Sequence, residues 1–335
     1  MRKAQFAALA AGILLFAVLV RRLGPGILFE DLRAIGWGLA LVIVIELSVD
    51  AVNTLGWWFT FAPDDRRMGF GVLYLVRLAG TALNQTLPSA SLGGEPVKAL
   101  LLRPWVPLSH GFASVITAKL SYGIAQSAFV LAGLIAASGR VDLPRGLALA
   151  LIGAFLLPVI GLALFFHFQR RGLFGEVARL MLRVGLPERW SAALGRASSR
   201  VDARIRDFYA LQLADFGSSV ACHLASFGLG VLQVWLLLRW MGIGADLIAC
   251  TVIEALSLLI QLALFLVPGG IGVQEGGKVL IFTALGLPAA AGLSLGIALR
   301  LNQMAGVALG LAAFALLQWR RGETLAVPGH PPAAP

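Results

Sequence analysis

The chain has 335 residues, of which 59% are hydrophobic and only 13% are charged, and its mean hydropathy is +0.86. Ordinary soluble domains carry about 25% charged residues, so this composition excludes a soluble globular protein and a disordered one. The net charge of +10 would suggest nucleic acid as the partner of a soluble protein, but an excess of Lys and Arg on cytoplasmic loops explains it more simply in a membrane protein.

Apolar runs of membrane-spanning length predict about eight transmembrane helices. The first run could also be a signal peptide, but Arg21 and Arg22 stand where such a peptide needs small residues for cleavage. Two further segments, 88–103 and 268–287, are apolar but broken by Pro, Gly and charges. We expect an all-α polytopic integral membrane protein with two broken or re-entrant segments. The runs are 4–20, 35–62, 70–87, 111–137, 146–168, 216–240, 247–267 and 288–319.

The longest hydrophilic stretch, 169–215, contains nine Arg and apolar residues at helical spacing. It predicts two amphipathic helices, over about 173–184 and 190–208. We favour helices that lie on an anionic leaflet over a solvated helical hairpin. The arginines place this loop in the cytoplasm, and Arg320 and Arg321 place the C-terminus there too. We expect one transmembrane domain over 1–321, with both termini cytoplasmic, and a disordered Pro- and Ala-rich tail over 322–335.

Two stretches that begin at Pro88 and Pro268 share the pattern P-x6-E-x2-K-x-L. Each follows an apolar run and precedes a span with a cation inside it, Lys119 after the first copy and Arg300 after the second. If the Arg-rich loop is cytoplasmic and both broken segments cross the membrane, the copies run in opposite directions. Such an inverted repeat is typical of many secondary transporters. If the segments are re-entrant, the copies would run parallel. We favour the inverted version.

Ten ionisable residues fall inside the predicted spans and broken segments, where each costs at least about 2.5–3.5 kcal/mol at a helix centre. They either form internal ion pairs or surround a polar cavity whose cations bind an anionic head group. We favour the cavity because the charges gather around two Gly-rich helix breaks, whose free N–H groups suit phosphate. The acids are Glu46, Asp50, Glu95, Glu254 and Glu275, and the bases are Arg77, Lys98, Lys119, Lys278 and Arg300.

The segments 83–103 and 267–288 resemble the flippase-like transmembrane region of lysylphosphatidylglycerol synthases and its stand-alone relatives, which include membrane proteins associated with hopanoid biosynthesis and with glycolipid or glycosyltransferase clusters. Lys98 stands where the family usually has Arg, which keeps the charge but loses the bidentate fork. The residues that carry the resemblance are Asn84, Pro88, Gly94 and Glu95, then Pro268, Gly269, Gly270, Gly272 and Glu275, and finally Arg300.

The full synthases carry a soluble aminoacyl-transfer domain after the membrane part, and we expect this chain to be a stand-alone member without that domain. The resemblance therefore implies lipid translocation or accessory work in the cytoplasmic membrane, not lysyl transfer. The sequence contains no ATP-binding motif, so transport would be passive or ion-coupled. The helix breaks are centred on Pro88, Gly93, Gly94, Pro268, Gly269, Gly270 and Gly272. The residues predicted to bind the head group are Arg77, Asn84, Glu95, Lys98, Lys119, Glu275, Lys278 and Arg300.

Two functions follow as hypotheses, and the first is favoured. The chain moves an anionic or glycosylated lipid between leaflets, with membrane lipids and lipid-synthesis enzymes as partners. Alternatively, it is a membrane-embedded transferase or accessory subunit in polyprenyl-phosphate, glycolipid or hopanoid synthesis, with acid–base or metal-binding groups at Glu46, Asp50 or Glu254. Cys222 and Cys250 lie in apolar runs and predict no metal site. We expect no cofactor.

Overall fold

The computed structural model describes residues 18, 20–21, 25–86, 94–140, 145–169, 172, 188–263 and 272–320. Within these ranges every regular element is helical, and a 3-10 turn covers Pro63–Met68. The helices are α1 (Pro25–Ile35), α2 (Gly38–Trp58), α3 (Phe70–Thr86), α4 (Gly94–Leu101), α5 (Leu108–Ser138), α6 (Arg145–Gln169), α7 (Glu188–Leu211), α8 (Leu213–Trp240), α9 (Leu247–Ala263), α10 (Val273–Ala284) and α11 (Ala289–Arg320).

Five of the described helices, α2, α5, α6, α8 and α11, are long and apolar enough to cross a membrane. The predicted all-α polytopic membrane protein is thus confirmed. Two other predicted spans, 70–87 and 247–267, form α3 and α9, which have 17 residues each. At 1.5 Å per residue the described part of each reaches about 25 Å, and each ends where the described range ends. The first predicted span, 4–20, lies almost wholly outside the described residues, as does the predicted tail.

Each broken segment supplies the second arm of a helical hairpin. Gly80 of α3 lies against the side chain of Lys98 of α4, so α4 folds back along α3. In the same way Gly277 of α10 lies against Ile260 of α9. The 8 described residues of α4 reach about 12 Å. The hairpin tips, 87–93 and 264–271, lie outside the described residues.

Helices α2 and α8 pack against each other along their length and run in opposite directions. Gly38, at the start of α2, lies against the ring of Trp240, at the end of α8. Near the other end of α2, Asn53 Oδ1 lies 2.7 Å from His223 Nδ1. Both side chains are buried, and the contact pairs these two atoms away from water. The antiparallel pair therefore joins the two halves of the chain.

The first arm of each hairpin packs against the long helix that follows the other hairpin. Gly310 of α11 lies against Leu78 of α3, and Gly133 of α5 lies against Ala255 of α9. The glycines let the helix backbones approach closely, as small residues do in membrane bundles. The two hairpins are thus held by reciprocal contacts between the two halves.

Ion pairs mark the two ends of the bundle. At one end Asp65, in the 3-10 turn, lies 2.9 Å from His110 Nδ1 of α5 and 2.8 Å from Arg204 Nη2 of α7. At the other end Arg140, after α5, lies 2.8 Å from Asp246, before α9. The start of α5 is therefore at the same end as α7, and the start of α9 is at the opposite end.

Helix α7 confirms the second amphipathic helix predicted in the Arg-rich stretch, but its apolar face has a different partner. Val201 and Ile205 are buried and pack with Ala113 of α5. Protein therefore covers the described part of this face, where the sequence predicted contact with a leaflet. The periodicity predicts that a face is apolar, and tertiary packing decides what covers that face. The other predicted helix, 173–184, lies outside the described residues.

Candidate functional site

The first polar cluster is built on Glu95, in the first turn of α4, which is 9% exposed. Its Oε1 atom lies 3.1 Å from Lys98 Nζ and 3.0 Å from Lys119 Nζ, and it accepts a hydrogen bond of 2.9 Å from Asn84 Nδ2. One carboxylate therefore faces two ammonium groups, so the cluster carries a net positive charge. The Lys98 side chain is 8% exposed, whereas that of Lys119 is 51% exposed. Lys119 is thus the cation that a ligand can reach.

Close backbone contact positions this cluster. The Gly94 N–H donates a hydrogen bond of 2.6 Å to Asn84 Oδ1, which ties the start of α4 to the end of α3. A Cβ atom on Gly94 would lie 2.0 Å from the carbonyl oxygen of Gly80, so no larger residue fits there without a shift of backbone. The glycine predicted at this helix break is therefore required by packing between the two arms.

The second cluster is built on Glu275, in the first turn of α10, which is 3% exposed. Its Oε1 atom accepts hydrogen bonds from Arg300 Nε (3.0 Å) and Nη2 (2.9 Å). Its Oε2 atom accepts one of 2.8 Å from the Gly272 N–H, the return bond of a capping box. Gly272 has a φ of 78°, in the left-handed region that favours glycine. Arg300 also donates to Gln303 Oε1 at 3.1 Å.

The two clusters have a common plan and one difference. In both, a glutamate at the start of the second hairpin arm binds a cation in the middle of the long helix that follows. In the first cluster Lys98 joins the glutamate of its own arm. Lys278, its counterpart in the repeated pattern, instead interacts electrostatically with Glu254 of α9 as well as with Glu275.

Arg77 does not join either glutamate, although it was predicted to bind the same head group. Its Nε atom lies 3.3 Å from Asp50 Oδ1 of α2, and both side chains are largely buried. The pair joins α2 to α3. For Arg77 the structure therefore agrees with the alternative interpretation, an ion pair between helices. Among the helix-break residues, Pro88, Gly93, Pro268, Gly269 and Gly270 lie outside the described part of the chain.

A polar cavity of about 260 Å³ lies between the two halves of the chain. Its described lining comes from α2, α3, α8, α9, α10 and α11. The charged residues in that lining are all acids, whereas the sequence predicted a cavity lined by cations. Four of the cations, Arg77, Lys98, Lys119 and Arg300, are in ion pairs outside this lining. The acids are Glu46, Asp50 and Glu254, and the side-chain amides are Gln85, Gln233, Gln261, Gln274, Asn302 and Gln303.

Sequence reasoning missed Asn302 and Gln274, because a single amide in an apolar helix follows no periodic pattern. It did single out Glu46, Asp50 and Glu254, which the transferase hypothesis made acid–base or metal-binding groups. Asp50 is engaged by Arg77. No group of three or more His, Cys, Asp or Glu in the described ranges could hold a metal ion. No described feature favours the transferase over the transporter.

Comparison with known proteins gives one family and one curated relative. The family model described as the lysylphosphatidylglycerol synthase TM region matches residues 5–318. A UPF0104 membrane protein of Methanothermobacter thermautotrophicus is 26% identical over 293 residues, which cover 82% of this chain and 84% of that protein. No solved structure matches the chain.

Proposed function

The chain belongs to the family of the lysylphosphatidylglycerol synthase transmembrane region, a family of membrane proteins of lipid-related function, and on that premise we propose that it moves a lipid between leaflets. The observation that carries the proposal is the pair of glutamate–cation clusters, one on each hairpin. Ionisable residues inside membrane helices are rare and costly, and they commonly mark substrate or ion pathways. The lipid is anionic or glycosylated.

We place the two clusters in an inverted repeat. Helices α2 to α5 and α8 to α11 have the same order: a long helix, a two-armed hairpin and a second long helix. The corresponding helices α2 and α8 run antiparallel, as Gly38 with Trp240 and Asn53 with His223 indicate. Corresponding helices run in opposite directions in an inverted repeat and in the same direction in a parallel one. Rocking of one half of the chain against the other would then expose the two clusters in turn to the two leaflets.

Within this scheme the first cluster binds the head group. Glu95 balances one of its two cations, and the half-exposed Lys119 supplies the remaining positive charge. A phosphate oxygen can accept from that ammonium group, as charge-assisted hydrogen bonds favour. Glu95 and Glu275 hold their cations in place when no head group is bound, which reduces the cost of burying them.

A transport assay tests the proposal. Vesicles that contain the purified protein would carry either a fluorescent phosphatidylglycerol or a fluorescent phosphatidylcholine, and an impermeant reductant would report how fast the inner label reaches the outer leaflet. We expect faster crossing of the anionic lipid than in protein-free vesicles. Equal rates with and without protein for both lipids would contradict the proposal.

The orientation is a second part of the proposal, with the Arg-rich stretch and both termini in the cytoplasm. Arg33 and Gly244 flank the paired ends of α2 and α8, and Arg103 lies at the opposite end of the bundle. In a variant without native cysteines, Arg33→Cys and Gly244→Cys should react with an impermeant maleimide in intact cells. Arg103→Cys should react only after permeabilisation. Labelling of Arg103→Cys together with the other two in intact cells would contradict this topology.

A further inference from the structure

The described lining of the central cavity holds three carboxylates and no cation. Glu46 Oε2 accepts hydrogen bonds from Gln233 Nε2 (3.0 Å) and Asn302 Nδ2 (3.2 Å), which are both neutral donors. Glu254 lines the same cavity from α9. The cations that act on these carboxylates are Arg77, which binds Asp50, and Lys278, which interacts with Glu254. Among the described residues, three carboxylates at the cavity thus face two nearby cations, which leaves one negative charge there.

A second observation points to a ligand in this cavity. Asn302 lines the cavity and is 3% exposed, and its Oδ1 atom is buried without a hydrogen-bond partner. The amide cannot simply turn over, because Oδ1 would then face Glu46 Oε2 and replace an attraction by a repulsion. Buried amide oxygens almost always have a partner in native proteins. A cation or a hydrogen-bond donor held beside Asn302 would supply this missing partner.

The chemistry of the lining selects among such ligands. Carboxylate and amide oxygens are ligands of hard cations. A volume of about 260 Å³ is below the roughly 300–1,000 Å³ of pockets for organic ligands, and it suffices for an ion with several waters of about 30 Å³ each. One uncompensated charge matches a monovalent ion, not a divalent one.

We propose that this cavity binds one alkali-metal cation, Na⁺ or K⁺, through the carboxylates of Glu46 and Glu254 and the Oδ1 atom of Asn302. The three ligands come from α2, α9 and α11, which belong to both halves of the chain. An ion held between them would change the energy of any movement of one half against the other. Its role as the coupling ion rests on the proposed lipid transport, whereas its binding does not.

Binding of radioactive sodium to the purified full-length protein in detergent, with choline as the background cation, tests this directly. We expect saturable binding that unlabelled Na⁺ or K⁺ displaces. Glu46→Gln with Glu254→Gln should weaken it at least about tenfold, the effect of losing roughly 1.4 kcal/mol. Asn302→Ala, which keeps both carboxylates, should weaken it severalfold. Glu30→Gln, which removes an exposed acid of α1, should leave it unchanged.

Three results would overturn the proposal. The first is a lack of saturable binding by the wild-type protein, and the second is equal binding by the double variant, provided that size-exclusion profiles show both to be folded. The third is displacement of sodium by ethylammonium but not by potassium, which would assign the cavity to an amine. Because no lipid moves in this assay, a protein that binds sodium but transports no lipid would refute only the transport proposal.

Discussion

Glu275→Ala is expected to lower the free energy of unfolding by about 3–5 kcal/mol, the usual cost of breaking a buried ion pair from one side. The substitution removes the acceptor of two hydrogen bonds from Arg300 and of the bond from the Gly272 N–H. It therefore weakens both the packing of α10 on α11 and the start of α10. Denaturant unfolding in mixed detergent micelles, followed by tryptophan fluorescence, would measure the loss.

The matched control is Glu30→Ala, because Glu30 is an exposed acid on α1. Surface substitutions of this kind usually change stability by less than about 0.5 kcal/mol. A loss at Glu275 no larger than the loss at Glu30 would mean that the pair with Arg300 contributes nothing to the fold.

Gly94→Ala is expected to destabilise the first hairpin by about 1–3 kcal/mol or more, as overpacking does. The new methyl group would lie 2.0 Å from the Gly80 carbonyl oxygen and 2.8 Å from Asn84 Oδ1. The arms must separate to make room, which pulls Glu95 away from Asn84 and Lys119. The variant should therefore unfold more readily and also transport lipid more slowly.

Gly71→Ala serves as the control for this substitution. Gly71 lies in the same hairpin, and a Cβ atom there would meet nothing within 4 Å. Alanine should even stabilise that turn of α3, by roughly 0.5–1 kcal/mol, because glycine loses more backbone freedom on folding. Equal stability of the Gly94 and Gly71 variants would show that close approach of the two arms is not needed.

The repeated spacing P-x6-E-x2-K predicted the relation of the two clusters well. It singled out Glu95 and Glu275, and the cation inside the span that follows each of them, Lys119 and Arg300. The structure brings both pairs together. Each glutamate lies on a short helix, and its cation lies on the next helix, which a short loop connects to it. The distance along the sequence therefore limits which side chains can meet.

Partners from distant parts of the chain could not be predicted in this way. Arg77 binds Asp50, and Asn302 binds Glu46, across helices that are neighbours only in the folded bundle. The acidic lining of the central cavity has the same origin, because six helices contribute to it. Charge counts along the sequence indicate that ionisable groups are buried, but packing decides which of them share a space.

The hairpin of α3 and α4 shows a similar limit. Hydropathy measures how apolar a stretch is and not which way the chain runs after it. The return of α4 along α3 depends on tertiary contacts, such as Gly80 with Lys98, that no local pattern contains.

The role of the two clusters in lipid transport is tested most directly in vesicles with fluorescent phosphatidylglycerol. Transport by Glu95→Gln and Glu275→Gln is compared with that of the wild-type protein, and Glu30→Gln is the control. Loss of a charge-assisted hydrogen bond worth roughly 1.5–3 kcal/mol predicts that each of the first two variants crosses at least about tenfold more slowly, while the control keeps the wild-type rate. Wild-type rates for both glutamate variants would contradict a role for the paired clusters in moving lipid.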